Sequence, residues 1–372
     1  MQPEHDQKAE SSADVLERLL TQANTAPQDS LVVQQRAAAH FTWDYARRRP
    51  NLADLYQRSL DLQWRTEDLA WDTPVDQERL VTEEVRANPA AYRGADLDRT
   101  VFSRWGEKEW VTAGIELQNW TISQFLHGEQ GALVCTAKLV ETVPWLEAKF
   151  YAGAQVMDEA RHVDVFSRYL DEKLTETYPV NTHLQAILMD IVHDDRWDMV
   201  YLGMQTLVEG LALAAFNLLR AQTNEPLLKQ MLEKVITDEA RHVAFGVVSL
   251  REFYRELTAA EIRERQEFAL ESVLHLRDRF MQQEAWARIG VPPRDVAELM
   301  ARSPERDLFG KLLMSKIIPQ CRAIGLIDAG DGWLRERLDE LDLTDLEMLD
   351  DGTGGYEKAF ESVGADGNAE AG

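Results

Sequence analysis

Apolar and polar positions alternate with the period of an α-helix along most of this chain of 372 residues. Shorter stretches of the pattern predict flanking helices at 30–49, 52–69 and 260–289, and a pair that ends near residue 326. No low-complexity linker interrupts these signals, so we predict an all-α fold with one helical domain over 31–327. Four long stretches predict the helices of a bundle: 104–138, 142–174, 182–221 and 225–256.

The two ends of the chain differ in composition from its centre. The first 30 residues are polar, and from Asp328 onward the chain is acidic and interspersed with glycine. Such segments bury too little apolar surface to offset the conformational entropy of folding. We therefore predict a disordered tail over 1–30 and a largely flexible acidic tail over 328–372.

A five-residue string, Asp-Glu-Ala-Arg-His, occurs twice, at 158–162 and 238–242. In each copy the Glu and the His are three positions apart, which places both side chains on one face of a helix. A further Glu precedes each copy by the same interval, within an apolar stretch. The candidate metal ligands, and candidate catalytic residues, are thus Glu129, Glu159, His162, Glu209, Glu239 and His242.

These six residues occur in stretches that we expect to be buried. An unpaired carboxylate in such a place is costly, so a compensating positive charge is expected. Two facing helices that each present a carboxylate and an imidazole could hold two metals, and a donor set made mainly of hard oxygens suits iron(II) or manganese(II). The alternative is that both strings are rows of ion pairs on helix surfaces.

In this arrangement two helices each supply a Glu and two others each supply Glu-x-x-His. The arrangement resembles the ligand pattern of the ferritin-like di-iron and di-manganese carboxylate superfamily. The Asp-Glu-x-Arg-His form looks most like the hydroxylase subunits of bacterial multicomponent monooxygenases. It is also similar to acyl carrier protein desaturases and, less closely, to ribonucleotide reductase small subunits. The resemblance covers roughly residues 100–255 and implies a ferritin-like four-helix bundle core with additional flanking helices.

The resemblance also implies a chemistry. Two iron ions, or one manganese and one iron, would use dioxygen as a co-substrate, and an external reductase or ferredoxin would restore the ferrous state. The expected activity is that of a monooxygenase, hydroxylase or oxidase acting on a small, mostly apolar organic molecule. Two alternatives remain open: a radical subunit or mixed Mn/Fe oxidase like the ribonucleotide reductase small subunit, and a non-catalytic, ferritin-like metal-binding protein.

The same resemblance assigns the residues that flank the motif glutamates. In related sites an Asp accepts the remaining imidazole N–H of the opposite string's histidine. Asp238 would then orient His162, and Asp158 would orient His242. The arginines of the two strings, Arg161 and Arg241, would neutralise these carboxylates. The alternative is that both arginines are exposed charges on the helix surface.

A substrate pocket is expected beside the two upstream glutamates, where small residues alternate with large ones. The same alternation is also what any bundle core requires. The predicted pocket residues are Phe125, Gly128, Ala132, Thr206, Gly210, Leu213 and Phe216.

The chain departs at several positions from the patterns of the families that it resembles. Phe166 stands four residues after His162, where ribonucleotide reductase small subunits commonly carry a radical tyrosine, which counts against a radical-storing role unless a mixed manganese–iron site stores the oxidant. Val235 stands where N-oxygenases of aryl amines often carry an extra histidine, which weakens that activity. Trp64 and Trp71 are candidates for an electron path, although core packing is the more ordinary role of such a tryptophan.

Charge and cysteine content limit the partners and the compartment. With 65 acidic and 40 basic residues, the formal charge of −25 disfavours nucleic acid and anionic membrane as partners. Only two cysteines are present, Cys135 and Cys321, which argues against a disulfide framework and indicates a cytoplasmic protein. The segment 199–219 is apolar enough to span a membrane, but Glu209 at its centre favours a buried bundle helix. A homodimer is one option for the oligomeric state.

Overall fold

The computed structural model of the protein describes residues 12–23, 30–35, 38–87, 97–302 and 304–351. Within these residues the fold is all-α and contains no β-strand, as the periodicity predicts. The helices are α1 (Ser12–Leu20), α2 (Pro50–Asp61), α3 (Gln77–Ala87), α4 (Glu107–Thr142), α5 (Leu146–Lys173), α6 (Thr182–His193), α7 (Trp197–Tyr201), α8 (Glu209–Gln222), α9 (Pro226–Phe253), α10 (Ala259–Asp278), α11 (Gln283–Arg288), α12 (Pro293–Ala301), α13 (Pro304–Ala323) and α14 (Trp333–Glu340).

Four long helical segments form the bundle at the centre of the protein. Only residues 143–145 join α4 to α5, which makes these two helices an antiparallel hairpin. The second hairpin pairs α9 with a composite segment in which a π-helical turn, Leu202–Val208, connects α7 to α8. α9 begins at Pro226, and the preceding Glu225 caps its first free N–H groups. Apolar side chains of all four segments fill the space between them.

Flanking helices cover the bundle on several sides. α2 packs across α5 and α9, and both α3 and α11 contact α4. On the side of the π-helical turn, α10 packs against α6 and the turn itself, while α13 packs against α8. These helices help to keep water away from the bundle interior. The single domain predicted over 31–327 stays a prediction.

The segment before α2 does not form the helix predicted at 30–49. None of its described residues has regular secondary structure. The Glu147 carboxylate of α5 accepts hydrogen bonds from the backbone N–H groups of Arg48 and Arg49, at 2.6 and 3.0 Å. Tertiary hydrogen bonds thus replace those that a helix would supply, and the prediction is wrong here. The next predicted helix is present but ends early, at Asp61.

Both predicted tails contain a helix. α1 lies within the first 30 residues and buries Leu16 and Leu20 against α12, and α14 lies beyond residue 328 and buries Leu334 and Leu338. In each helix two leucines four positions apart form an apolar face that tertiary contacts can bury. The prediction of disordered or flexible tails is therefore wrong for α1 and α14. Other parts of these tails lie outside the described residues: 1–11, 24–29 and 352–372.

Candidate metal centre

The six predicted ligands come from four different helices and meet in the middle of the bundle. α4 supplies Glu129, and α5 and α9 each supply the Glu and the His of one string. α8 supplies Glu209, its first residue, which directly follows the π-helical turn. All six side chains are buried, with at most 4% of their surface exposed. The residues are Glu129, Glu159, His162, Glu209, Glu239 and His242.

Potential ligand atoms of these residues form two overlapping groups. In the first group, oxygen and nitrogen atoms of Glu129, Glu159, His162 and Glu239 all lie within 4.8 Å of one another. In the second group, atoms of Glu159, Glu209 and His242 do the same. Glu159 belongs to both groups, so the arrangement offers two adjacent positions for cations with a carboxylate between them.

The distances around each imidazole show which ring nitrogen faces the carboxylates. Nδ1 of His162 lies 3.0 Å from Oε2 of Glu129 and 3.2 Å from Oε1 of Glu239. Nδ1 of His242 lies 3.1 Å from Oε1 of Glu159. In both histidines the nitrogen that faces the centre of the cluster is therefore Nδ1.

Several buried polar atoms of the cluster make no hydrogen bond of normal geometry with any described residue. They are Oε2 of Glu159, Oε2 of Glu209, both carboxylate oxygens of Glu239 and Nδ1 of His242. Two of them, Oε1 of Glu239 and Nδ1 of His242, nevertheless lie within 3.2 Å of an atom of another candidate ligand. Buried carboxylate oxygens in native proteins almost always have a partner, so these atoms need an explanation. Divalent cations bound by four carboxylates and two imidazoles would supply it, and the donor set fits iron or manganese.

The other nitrogen of each imidazole faces an aspartate of the opposite string. Nε2 of His162 lies 3.2 Å from Oδ2 of Asp238, and Nε2 of His242 lies 3.3 Å from Oδ2 of Asp158. This is the crossed pairing that the resemblance implies. Such a hydrogen bond fixes the ring direction and leaves Nδ1 available for a metal.

The two arginines of the strings are buried and bind both aspartates. Arg161 Nη2 donates to Asp158 Oδ1 at 2.5 Å and to Asp238 Oδ2 at 3.0 Å. Arg241 Nη2 donates to Asp238 Oδ1 at 2.5 Å and to Asp158 Oδ2 at 3.3 Å. Because Arg161 is only 9% exposed and Arg241 is fully buried, neither is an exposed helix charge. The four side chains form a closed ion-pair network behind the histidines.

The buried charges shift several pKa values. Burial raises the pKa of Glu129 to about 8, and the charge of nearby Glu239 adds to this shift. Burial, followed by the charges of the other carboxylates, holds the pKa of Glu209 well above its usual range. Burial acts to lower the pKa of His162, but hydrogen bonds to Asp238 and Glu129 outweigh it and raise that pKa. Without metal, the cluster therefore retains protons at neutral pH that bound cations would displace.

Sequence reasoning missed one buried residue at the centre, Gln155. Its Nε2 atom donates to Oε1 of Glu159 and to Oε1 of Glu209, both at 3.0 Å, and so links two candidate ligands from different helices. It lies four positions before Glu159 on α5, a spacing that could have indicated it.

Gln63 and Trp64, which precede the 3₁₀ turn at Thr66–Asp68, contact the network behind the histidines. Gln63 Nε2 donates to Asp158 Oδ1 at 2.9 Å, and Trp64 Nε1 donates to Asp238 Oδ2 at 2.7 Å. Trp71 is different, because its Nε1 donates to the backbone carbonyl of Thr66. Of the two candidate tryptophans, only Trp64 has a hydrogen-bonded connection to a candidate histidine ligand, through Asp238.

A small cavity of about 20 Å³ adjoins the cluster. Four of the seven predicted pocket residues line it, but Thr206, Gly210 and Leu213 do not. A Cβ atom on Gly210 would lie 3.0 Å from the Gln320 amide of α13, so this glycine faces another helix. The π-helical turn before α8 has more residues per turn than an α-helix. Side chains near this turn therefore point in other directions than the regular helical spacing predicts. The lining residues are Gln124, Phe125, Gly128, Glu129, Ala132, Val208, Glu209, Leu211, Ala212, Phe216 and Glu239.

Phe166 packs beside this cavity as an apolar residue. It is fully buried, and its ring centroid lies 6.0 Å from that of Phe125 and 5.7 Å from that of Phe216. The nearby Tyr169 donates its hydroxyl proton to Glu225, the cap of α9. Neither residue supplies a tyrosine hydroxyl at the position that a radical subunit commonly uses.

The composite segment Trp197–Gln222 is long and apolar enough to cross a membrane, by length and composition only. In the structure 89% of its most apolar window is buried inside the protein. This burial agrees with the interpretation of the segment as a core helix that carries Glu209.

No protein-family model and no curated protein matches the sequence. Solved structures do match the fold of this chain. A tyrosine-to-phenylalanine variant of an R2-like ligand-binding oxidase with an anaerobically reconstituted Mn/Fe cofactor is 17% identical, with a TM-score of 0.50 over 75% of this chain and 94% of that chain. A glutamate-to-aspartate variant of such an oxidase with an aerobically reconstituted Mn/Fe cofactor is 15% identical, with a TM-score of 0.49 over the same shares.

The chain has the ferritin-like fold. The predicted four-helix bundle core with additional flanking helices is thereby confirmed, and so is the resemblance to the ferritin-like superfamily at the level of the fold. The identity of the aligned residues is low, so this likeness concerns architecture.

Proposed function

We propose that this protein is an oxygen-activating oxidoreductase with a dinuclear metal centre, formed by two iron ions or by manganese and iron. The observation that carries the proposal is the convergence of four buried carboxylates and two imidazoles, five of whose inward atoms make no hydrogen bond of normal geometry with any described residue. The Mn/Fe cofactor of the structurally similar oxidases supports it.

Reduced iron or manganese at these positions would supply electrons to dioxygen. The residues of the chain then have distinct tasks. Asp158 and Asp238 hold the imidazoles in one orientation, and Gln155 holds two carboxylates in position. The buried surroundings exclude bulk water from the reacting centre.

The substrate is proposed to be a small, mostly apolar organic molecule. The cavity beside Glu129, Glu209 and Glu239 is lined largely by apolar side chains, among them Phe125 and Phe216. Because the cavity now has room for about one water molecule, such a substrate must displace some of these side chains on binding. Both oxygen insertion by a monooxygenase or hydroxylase and hydrogen removal by an oxidase suit this setting.

Electrons are proposed to come from an external reductase or ferredoxin in the cytoplasm. Trp64 is only 7% exposed and lies between the protein exterior and the ion-pair network, with Arg161 stacked over its ring at 4.6 Å. Its hydrogen bond to Asp238, which in turn contacts His162, provides a short connection to the centre.

A mixed Mn/Fe oxidase like the ribonucleotide reductase small subunit is a second candidate, favoured by the Mn/Fe cofactor of the similar structures. Phe166 counts against radical storage at the usual tyrosine position. A non-catalytic metal-binding protein would share the ligand set, but it would have no need for an apolar cavity beside the ligands.

The test is metal analysis together with Mössbauer spectra of protein loaded anaerobically with iron(II), before and after oxygen. We expect about two irons per chain that oxygen oxidises. A Glu159→Ala, Glu239→Ala double variant should lose them, whereas a control that removes exposed glutamates of the same two helices, Glu172→Ala with Glu252→Ala, should keep them. Absence of stoichiometric metal, or equal binding by both double variants, would overturn the proposal.

A further inference from the structure

A row of aromatic rings leads from the His242 side of the candidate metal centre towards the protein surface. Its inner member, Tyr151, lies about two helical turns before Glu159 on α5. The ring centroid of Tyr151 is 4.2 Å from that of Phe245, which follows His242 by three positions on α9. We call these residues the aromatic row, in order from the inside outward: Tyr151, Phe245, Tyr201, Trp197 and Trp145.

Each ring of the aromatic row is in contact with the next. The distances between ring centroids are 4.9 Å from Phe245 to Tyr201, 5.6 Å from Tyr201 to Trp197 and 5.1 Å from Trp197 to Trp145. These distances lie in the range of packed aromatic pairs. The three inner rings are fully buried, whereas both tryptophans are half-buried. The row therefore connects the interior of the bundle to its surface without a gap.

The outer end of the row lies beside the loop between α4 and α5. Trp145 directly precedes α5, and Trp197 is the first residue of α7. The guanidinium of Arg49 lies over the Trp145 ring, 4.1 Å from its centroid. Glu252 lies 3.4 Å from the same guanidinium and offsets its charge. An electron can therefore leave this end of the row without an unpaired cation beside the ring to oppose its loss.

The tryptophans suit one-electron oxidation better than the buried tyrosines do. A phenol gives up an electron readily only when its hydroxyl proton has an acceptor. The Tyr151 hydroxyl makes no hydrogen bond of normal geometry with any described residue, and Ser249, beside the Tyr201 hydroxyl, is a poor base. An indole can lose its electron first and its N–H proton afterwards. An oxidising equivalent that enters the row is thus most stable on Trp145 or Trp197.

We infer that the aromatic row is an outlet for oxidising equivalents, with Trp145 and Trp197 as its redox-active residues. The inference rests on the proposed function, because the oxidant is the dinuclear centre after its reaction with oxygen. When no organic substrate is present, an outer indole loses one electron along the row, and one metal ion is lowered by one oxidation state. The indole releases its N–H proton to water, and a thiol in solution later returns one electron and one proton. Trp64 lies on the other side of the centre, beside Asp238.

The test is freeze-quench electron paramagnetic resonance of the full chain, loaded anaerobically with iron(II) and mixed with oxygen without an organic substrate. We expect an organic radical signal that narrows when the protein contains ring-deuterated tryptophan. Trp145→Phe with Trp197→Phe should lose the signal, because phenylalanine keeps a ring at each position but is far harder to oxidise. The control, Trp105→Phe with Trp333→Phe, removes two half-buried tryptophans outside the row and should keep the signal.

Peptide mass spectrometry provides a readout that needs no variant. After repeated oxygenation without substrate, oxygen addition should concentrate at Trp145 or Trp197 of the wild type, and equal addition at Trp105 and Trp333 would overturn the outlet. Mössbauer spectra of the same samples report whether oxygen has oxidised the iron. Oxidised iron without a tryptophan radical, or a signal that the double variant at 145 and 197 retains, would overturn the outlet alone. Iron that oxygen does not oxidise would overturn the proposed function, and the outlet with it.

Discussion

The two copies of the five-residue string build two halves of one centre, and the halves differ most where the upstream glutamates enter. Glu129 comes from the regular helix α4 and lies 3.0 Å from His162. Glu209 follows a π-helical turn and is bound by Gln155 instead of by a histidine. Identical strings therefore supply a symmetric frame, while their surroundings make the two candidate metal positions different.

The halves differ behind the histidines as well. Asp238, which contacts His162, also accepts a hydrogen bond from the indole of Trp64. Asp158, which contacts His242, accepts one from the amide of Gln63 instead. An indole can carry an electron and an amide cannot, so we propose that electrons enter on the His162 side.

The largest expected effect comes from the ligand that both halves share. Glu159→Ala removes a carboxylate from each group and should reduce metal content from about two per chain to below one. Glu209→Ala affects only the His242 half and should leave about one. Metal analysis after gel filtration checks this prediction, and equal losses in the two variants would contradict the division into halves.

The pH dependence of stability tests the His162 half in the metal-free protein. The pKa of Glu129 is raised to about 8, above its value of about 4 in an unfolded chain, so its protonated form stabilises the fold at low pH. The stability of the wild type relative to Glu129→Gln should fall as pH rises from about 4 to about 8, and then level off. Thermal unfolding at several pH values checks this, and a stability difference that does not change between about pH 4 and about pH 8 would contradict it.

A smaller loss of metal affinity is expected when Gln155 is replaced, and it should be greater in the His242 half of the centre. Gln155→Leu keeps the size of the side chain but removes the donor to Glu159 and Glu209. Loss of such supporting hydrogen bonds typically weakens metal binding by about 10- to 100-fold. Glu159 belongs to both groups and Glu209 only to the group with His242, so both metals should be released more easily, and the one beside His242 most of all. Competition with a chelator measures this, and equal release of both metals would argue against a larger role in the His242 half.

The smallest expected effect concerns Trp64. Trp64→Phe removes the indole N–H that Asp238 accepts, and we expect slower reduction of the oxidised centre by an external donor with unchanged metal content. Trp71→Phe is the matched control, because its indole bonds only to a backbone carbonyl among the described residues. Stopped-flow reduction with dithionite and a mediator distinguishes them; equal rates in both variants would remove the proposed electron path.

Much of this architecture follows from sequence, because the bundle helices depend on helical periodicity and the candidate ligands on a repeated string, although the helix predicted over 182–221 is interrupted after His193. The crossed pairing of Asp158 and Asp238 was implied only by the family resemblance. The π-helical turn was not predictable in the same way, since nothing in the periodicity of Leu202–Val208 distinguishes it from an α-helix. The sequence pattern also predicted a helix where the segment before α2 is irregular, because local periodicity does not show tertiary contacts. The backbone of this segment is held by Glu147, a partner about a hundred positions away.

The central claim is that the two strings form one dinuclear metal centre with two different halves. Anomalous diffraction at the iron and manganese edges, from crystals of the metal-loaded protein, tests this most directly. We expect two metal peaks in the bundle, one beside Glu129, His162 and Glu239 and the other beside Glu209 and His242, with Glu159 between them. A single peak, or metals bound only at surface carboxylates, would contradict the account.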